Sequence, residues 1–211
     1  MTLDWYFDFI SPYAYLQSVK FPQLPAGTQL RVKPVLFGAL LDKSGTLGPA
    51  EIPGKREFTF RQALWLAGRH GVKLKMPPRH PFNPLPVLRL AVAIDAPLDK
   101  VKRIFEFIWA QGRDPSDPAE FAALAAEMGV DDAEARVADP QAKAKLKSNT
   151  DEAIAAGVWG VPTFVADGFC FWGFDSGAML LDYLANPAMF SGPEYARIDS
   201  LPSGIQRKLK S

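Results

Sequence analysis

A short apolar run at the start of the chain, residues 3–10, ends directly in Ser11 and Pro12. The run is rich in aromatic side chains, which is typical of a buried β-strand. Ser11 can accept a hydrogen bond at a helix start, and Pro12 suits the first helical turn, where a backbone N–H has no partner to lose. The pattern therefore predicts a strand that leads straight into a helix with a serine hydroxyl at its N-terminus.

Residues 28–36 alternate between polar and apolar side chains and predict a second strand. A strand, a helix and a strand in this order favour a parallel pair with a right-handed crossover. Glycine and proline recur over residues 37–54, so we expect a loop there.

From residue 55 to residue 157 the apolar spacing becomes that of helices. Asp117-Pro118 and Asp139-Pro140 each combine a capping carboxylate with a proline suited to the first turn, and so predict two helix starts. Beyond this stretch, Asp167-Gly168 separates two apolar runs and predicts a hairpin. Asp175-Ser176 then predicts the start of a last helix over residues 177–184.

The order of these elements predicts an α/β fold whose middle is interrupted by helices. We expect residues 1–54 and 158–211 to form one domain and residues 55–157 to form an inserted, all-helical domain. A length of 211 residues and a hydrophobic content of 48% are sufficient for a substantial core.

The composition excludes several classes of function. The formal net charge is +1, so nothing indicates a nucleic acid or an anionic membrane as partner. No signal peptide is expected, and no uncharged run approaches the roughly 18 residues of a membrane span. The single cysteine, Cys170, fits a reducing compartment, and we expect a cytoplasmic protein. Two histidines without a carboxylate cluster predict no metal centre.

Four motifs in the same order along residues 3–185 resemble those of 2-hydroxychromene-2-carboxylate isomerases. They are residues 7–15, His80-Pro81-Phe82-Asn83, Gly160-Val161-Pro162-Thr163-Phe164 and Phe171-Trp172-Gly173-Phe174-Asp175. Those isomerases are grouped with kappa-class glutathione transferases in the DsbA-like branch of the thioredoxin superfamily. The resemblance implies a thioredoxin-like core of the DsbA type with a helical insertion, and glutathione as the cofactor.

The resemblance also implies roles for individual residues. Ser11 is the catalytic residue, Pro162 follows a cis peptide bond, and the backbone of Val161 pairs with a thiol-bearing peptide. The remaining glutathione contacts fall on Trp172, Gly173, Phe174, Asp175 and Ser176. Asp175 and Ser176 hold the γ-glutamyl end, although many related sequences have an arginine where this chain has Ser176. Family members also often carry an aspartate and an arginine at the positions of Gln62 and Trp65.

The residues themselves support thiol chemistry with an external sulfur. Redox-active relatives need two cysteines in a Cys-x-x-Cys spacing, and this chain has Ser11-Pro12-Tyr13-Ala14 there. A hydrogen bond to a charged partner contributes about 1.5–3 kcal/mol. A helix N-terminus adds roughly 0.3–1 kcal/mol. Since one pKa unit corresponds to about 1.4 kcal/mol, such a site can lower the pKa of a bound thiol from about 8.5 toward about 7.

We expect an aromatic carboxylate substrate to bind next to this site. The residues predicted to contact it are Pro12, Lys43, Pro53, His80 and Asn83, and Lys55 and Arg56 are further candidates. The leading hypothesis is a glutathione-dependent isomerase that adds a thiolate to an aromatic α-keto acid and eliminates it again. A kappa-type glutathione transferase and a non-catalytic binding module are the alternatives, and relatives often form homodimers. Each motif also has a plain structural interpretation, as helix caps at Ser11 and Ser176 and as an ordinary turn at Pro162.

Overall fold

The described part of the chain, residues 1–198 and 200–205 of a computed structural model, contains one four-stranded sheet. Its strands are Thr2–Phe7 (β1), Gln29–Pro34 (β2), Thr163–Ala166 (β3) and Phe169–Trp172 (β4), in the spatial order β2-β1-β3-β4. β1 and β2 are parallel, whereas β3 runs antiparallel to both β1 and β4. The predicted parallel pair and the hairpin at Asp167-Gly168 are confirmed.

Helices connect and cover the strands. Pro12–Val19 (α1) joins β1 to β2, and Phe37–Ser44 (α2) follows β2. The long middle stretch contains Lys55–Arg69 (α3), Leu85–Ala93 (α4), Leu98–Phe105 (α5), Pro118–Glu127 (α6), Ala133–Ala138 (α7) and Pro140–Ala155 (α8). α5 continues as a π-helical turn, Glu106–Ala110. Gly177–Ala185 (α9) and Pro193–Ile198 (α10) follow the hairpin.

Two expectations about helices were wrong. The segment expected to be a loop contains α2, whose first N–H, that of Phe37, donates to the carboxylate of Asp8. Gly45, with φ at 61°, only ends this helix. A contact between residues far apart in sequence therefore decides the structure here. α9 is also not the last helix, since α10 follows it.

The two predicted helix starts in the middle stretch are confirmed. Asp117 accepts hydrogen bonds from the N–H groups of Ala119 and Glu120, both at 3.0 Å. Asp139 accepts one from the N–H of Gln141 at 2.8 Å. In both helices the proline follows the capping aspartate directly, where its missing N–H leaves no hydrogen bond unmade.

β1 lies at the centre of the core because both of its faces are covered. On one face the ring of Trp5 stacks on Phe7 at 4.1 Å and meets Phe21 edge-on at 4.6 Å. On the other face Tyr6 belongs to a smaller cluster with residues of α2 and α8. A strand that is buried on both faces has no polar alternation, which explains the nearly continuous apolar run at the start of the chain.

The longest described helix, α8, has 16 residues. No helix in the described ranges is both long enough and apolar enough to cross a bilayer. Nor do three or more histidine, cysteine, aspartate or glutamate side chains of those residues come together in a way that could hold a metal ion.

Candidate active site

Ser11 lies at the N-terminus of α1, shortly after the end of β1. It is 7% exposed, and its Oγ accepts a hydrogen bond from the N–H of Ala14 at 3.3 Å. The cap uses the oxygen as acceptor only, and the described residues place no acceptor against the hydroxyl hydrogen. Ser11 is therefore a helix cap and at the same time retains a donor for a further group.

The turn that carries Ser11 is fixed at every residue. The N–H of Ser11 donates to the carbonyl of Asp8 at 3.1 Å. The indole Nε1 of Trp109 donates to the carbonyl of Phe9 at 2.8 Å, and Nε2 of His80 lies 2.8 Å from the carbonyl of Ile10. Trp109 and His80 both come from the helical stretch between β2 and β3, so that stretch shapes the turn.

Asp8 is a fully buried carboxylate beneath this turn. One of its oxygens accepts from the N–H of Ile10 at 3.1 Å and the other from the N–H of Phe37 at 2.9 Å. Burial raises the pKa of Asp8 to about 7, although these backbone N–H groups act in the opposite direction. No role for Asp8 is predicted above, although a carboxylate inside an apolar run is a signal for one.

Val161 and Pro162 directly precede β3 and are joined by a cis peptide bond, as the resemblance implied. β3 starts at the edge where β1 ends, because the two strands are antiparallel. The carbonyl of Pro162 accepts from the N–H of Gly173 at 2.8 Å. Among the described residues, the backbone N–H and carbonyl of Val161 make no hydrogen bond. Both are therefore available to an extended ligand.

The loop before Pro162 contains Trp159 and packs against Trp172. The rings of Trp159 and Trp172 lie 6.2 Å apart, and each side chain is about half exposed. A Cβ on Gly160 would lie 2.6 Å from Nε1 of Trp172. The absence of a side chain at Gly160 is therefore what allows Trp172 to lie against this loop.

Gln17 joins the turn at Gly173 to α1. Its side-chain oxygen accepts from Nε1 of Trp5 at 2.7 Å, and its Nε2 donates to the carbonyl of Gly173 at 3.0 Å. Because Gln17 is itself buried, both ends of its amide are satisfied inside the protein. The segment that carries residues 172–176 is thus held at a fixed height beside α1.

Asp175 and Ser176 differ in what they offer to a ligand. Ser176 is the N-cap residue of α9, but its hydroxyl donates to the carbonyl of Gly173 at 2.9 Å and makes no capping bond. Asp175 is exposed, and its negative charge adds to burial in raising the pKa of Tyr13. Asp175 therefore lies near α1 with its carboxylate accessible.

A cavity of about 270 Å³ opens between α1 and α9, next to Asp175. Its wall is largely apolar, with Phe21, Phe174 and Leu180 among its lining residues. Its polar lining includes Gln17, Lys20, His70 and Asp175. Lys20 and His70 are separated by 50 residues in sequence, so no local pattern could have predicted that they would meet.

His80 is the predicted substrate residue that the structure brings next to Ser11. Since Nε2 faces the carbonyl of Ile10, it carries the ring proton, and Nδ1 is buried without a hydrogen-bond partner in the described residues. Burial lowers the pKa of His80, which favours the neutral ring. His80 is therefore suited to accept a hydrogen bond rather than to neutralise a carboxylate.

Of the other predicted substrate residues, Pro12 follows Ser11 directly in the chain. Pro12 is buried in the first turn of α1. Asn83 uses its Oδ1 to accept from the N–H of Leu85 at 3.1 Å. Lys43, Pro53 and Lys55 are exposed, and Arg56 donates to the carbonyl of His80 at 2.8 Å. Only Arg56 among these basic residues has a recorded contact with the segment that reaches the Ser11 turn.

Residues 2–185 match the DSBA-like thioredoxin domain family. The chain belongs to this family. The 2-hydroxychromene-2-carboxylate isomerase of Sphingobium xenophagum is 30% identical over 190 residues, which cover 87% of this chain and 97% of the isomerase. The kappa 1 glutathione S-transferase of Rattus norvegicus is 27% identical over 203 residues, or 86% of this chain and 89% of the transferase.

Solved structures support the DsbA-like fold. A structure of 2-hydroxychromene-2-carboxylate isomerase superposes with a TM-score of 0.76 at 22% identity and covers 95% of this chain and 98% of that one. The cytosolic disulfide reductase DsbM of Pseudomonas aeruginosa, in a structure with GSH, gives a TM-score of 0.57 at 18% identity, with the same coverage. The predicted thioredoxin-like α/β fold of the DsbA type is thus confirmed.

Two residues of α3, Gln62 and Trp65, lie in different surroundings in this DsbA-like chain. The hydroxyl of Tyr13 donates to the side-chain oxygen of Gln62 at 2.7 Å, which ties α1 to α3. Trp65 is exposed, with the guanidinium of Arg69 5.6 Å from its ring. Gln62 therefore connects two helices, whereas the Trp65 side chain lies on the surface.

Proposed function

We propose that this protein is a glutathione-dependent isomerase of the 2-hydroxychromene-2-carboxylate type that acts on an aromatic α-keto acid. The observation that carries the proposal is the Ser11 hydroxyl, whose oxygen is engaged in the helix cap while its hydrogen is free to be donated. A donor at a helix N-terminus stabilises an anion, and no cysteine of this chain stands there to be that anion.

The residues around Ser11 fit a glutathione molecule along its length. The backbone groups of Val161, which make no hydrogen bond in the described residues, suit the amide groups of the cysteinyl residue, as the resemblance implies. The exposed Asp175 carboxylate suits the ammonium group of the γ-glutamyl residue. Trp172 offers an indole face beside the same loop. The Ser176 hydroxyl is engaged with Gly173, so in our proposal it contributes to the position of the loop.

Bound glutathione supplies a thiolate that adds to a conjugated double bond, allows rotation about the resulting single bond and leaves again. Ser11 donates its hydrogen bond to the sulfur both before attack and after departure, so it stabilises the anion at both stages. Because glutathione is regenerated, the reaction consumes no thiol. A chain with one cysteine is therefore sufficient for this chemistry.

The substrate would lie on the side of Ser11 that faces the helical stretch, residues 55–157. His80, whose Nε2 lies against the carbonyl of Ile10, would help to shape this side of the cleft as a neutral ring. A carboxylate would need a cation, and Arg56 and Lys43 are the candidates, with Pro12, Pro53 and Asn83 shaping the cleft. We further propose that the protein acts in the cytoplasm, where glutathione is reduced, and that it forms a homodimer.

A kappa-type transferase is the second candidate, because it requires the same thiolate and the chain resembles such enzymes at 27% identity. The two reactions differ in their product. An isomerase returns free glutathione after each turnover, whereas a transferase releases a conjugate. Mass spectrometry of the products with an aromatic keto acid separates them, and the absence of any turnover would favour a binding module.

The first test is a titration with glutathione, followed through thiolate absorbance in the ultraviolet over a range of pH. We expect saturable binding with a thiol pKa near about 7, compared with about 8.5 for a free thiol. Ser11→Ala should raise this pKa, whereas the exposed Ser148→Ala on α8 should leave it unchanged. Binding without a shifted thiol pKa, or no binding at all, would contradict the proposal.

A further inference from the structure

The cavity between α1 and α9 carries opposite charges in its wall. Asp175 contributes a carboxylate, and Lys20 contributes an ammonium group. Nζ of Lys20 lies 3.0 Å from Nδ1 of His70, and since lysine only donates, His70 accepts with Nδ1 and keeps its proton on Nε2. The ring of His70 in turn meets Phe174 edge-on at 5.3 Å. Lys20 is therefore held in place by His70 rather than neutralised.

A free amino acid group carries the complementary pair, one ammonium and one carboxylate. Asp175 can take the ammonium, but the residue after it, Ser176, has no charge and donates to Gly173. The cation that the described lining of the cavity offers to the carboxylate is Lys20, which the neutral ring of His70 holds in place. The cavity is thus suited to a zwitterion at the end of a longer molecule.

The distance from Ser11 agrees with this placement. Gln17, which lines the cavity, follows Ser11 by six residues, or about 9 Å at the helical rise, and Lys20 follows three residues later, about 4–5 Å further along the axis, a gap that the long lysine side chain can span. In glutathione, the thiol sulfur and the α-carbon of the γ-glutamyl residue are joined by a chain of roughly seven bonds, or about 9 Å when extended. A thiol at Ser11 therefore brings the far end of the molecule to this cavity.

We propose that Lys20, held beside His70, binds the α-carboxylate of the γ-glutamyl end of glutathione while Asp175 binds its ammonium group. This inference rests on the proposed function and adds the residues that select glutathione over other thiols. Lys20, directly after α1, thereby does what a basic residue after Asp175 would otherwise do.

The test measures dissociation constants by calorimetry for three ligands: glutathione, an analogue that lacks the α-carboxylate (4-aminobutanoyl-cysteinylglycine) and one that lacks the ammonium group (glutaryl-cysteinylglycine). Lys20→Met should raise the dissociation constant of glutathione about tenfold or more, the effect of losing a charged hydrogen bond, and leave that of the first analogue unchanged. Asp175→Asn should raise the dissociation constant of glutathione and leave that of the glutaryl analogue unchanged. His70→Gln should show the pattern of Lys20→Met to a smaller extent.

Lys102→Met is the matched control, since its Nζ lies 5.5 Å from the ring of Phe21 but Lys102 does not line the cavity. It changes the charge near the same wall and should affect all three ligands equally and weakly. If Lys20→Met weakened the binding of glutathione and of the analogue without the α-carboxylate by the same factor, or weakened neither, the inference would be wrong. The proposed function would still stand, provided that the wild-type protein binds glutathione with a lowered thiol pKa. If the wild-type protein bound no glutathione, both would fall together.

Discussion

The carboxylate of Asp8 accepts a hydrogen bond at 2.9 Å from the N–H of Phe37, 29 residues further along the chain. Its second oxygen holds Ile10, the residue before Ser11. One buried side chain thus fixes both the turn that presents Ser11 and the first residue of α2. The position of the Ser11 hydroxyl therefore depends on a carboxyl group that is fully buried.

Replacement of Asp8 by asparagine should change how stability depends on pH. Between about pH 4 and pH 7 the folded protein keeps the Asp8 proton, since its pKa is raised to about 7, whereas the unfolded chain with its ordinary pKa of 3.8 releases it. The folded state then binds more protons, so this residue makes stability fall with rising pH, by about 1.4 kcal/mol per pH unit. Asp8→Asn removes that slope and adds a constant cost, because an amide nitrogen cannot accept one of the two N–H groups.

Urea unfolding at several pH values checks this expectation. The unfolding free energy of wild type minus that of Asp8→Asn should fall steadily from pH 4.5 to pH 7, by about 1.4 kcal/mol per pH unit. Asp131→Asn removes a carboxylate at an exposed position and serves as the control. Parallel curves for wild type and Asp8→Asn would show that Asp8 does not titrate in this range.

Ser11→Asp should separate the two roles of the Ser11 side chain. Aspartate caps helices as well as serine does, so the unfolding free energy should stay within about 1 kcal/mol of wild type. An ionised carboxylate cannot donate a hydrogen bond and repels a thiolate, so the bound thiol pKa should rise above its value in Ser11→Ala. Thermal melts and the ultraviolet titration measure the two effects. A low thiol pKa in Ser11→Asp would show that the helix N-terminus alone is sufficient.

Gly160→Ala should displace the indole of Trp172. The new Cβ would lie 2.6 Å from Nε1, and because Trp172 is half exposed, the ring can swing outward at a cost of about 1 kcal/mol or less. We expect greater acrylamide quenching of tryptophan fluorescence and weaker glutathione binding. Gly38→Ala on α2, where a Cβ meets nothing within 4 Å, should leave both unchanged. Equal quenching in the two variants would contradict this packing role.

Trp109→Phe should loosen the Ser11 turn. It removes the buried N–H that donates to the carbonyl of Phe9 and leaves that carbonyl unpaired, which costs about 1–3 kcal/mol in addition to the smaller ring. Hydrogen exchange of the amides at residues 9–11 should accelerate more than exchange in β4. Trp65→Phe, at an exposed position, should alter stability by less than about 0.5 kcal/mol. Unchanged exchange at residues 9–11 in Trp109→Phe would show that the bond does not hold the turn.

Local signals in the sequence were sufficient for much of the fold. The aromatic run before Ser11 predicted a buried strand from its composition alone, and β1 confirms it. The capping aspartates at 117 and 139 and the Asp167-Gly168 turn act through neighbours a few residues away, and each is confirmed. α2 was missed because its first N–H is satisfied by Asp8, from another part of the chain. A pattern of glycines and prolines cannot reveal such a partner.

The candidate site divides in the same way. Ser11 and the Val161-Pro162 bond were predictable because short motifs carry them, although their roles as ligand contacts remain predictions. Lys20 and His70 were not predictable as a pair, since 50 residues separate them and only the fold brings them together. The hydrogen bond between Ser176 and Gly173 was equally invisible, because a serine at a helix start predicts a cap.

The turn before Ser11 takes its shape from two donors, Nε1 of Trp109 and Nε2 of His80, which both come from the stretch of chain between β2 and β3. The strands determine where the turn lies. Two side chains from the stretch between β2 and β3 determine the path of its backbone. An insertion of different length or topology could serve the same sheet, provided that it returned two N–H groups to the carbonyls of Phe9 and Ile10. A shortened or grafted version of this protein should therefore keep the two hydrogen bonds from Trp109 and His80, even where it omits whole helices.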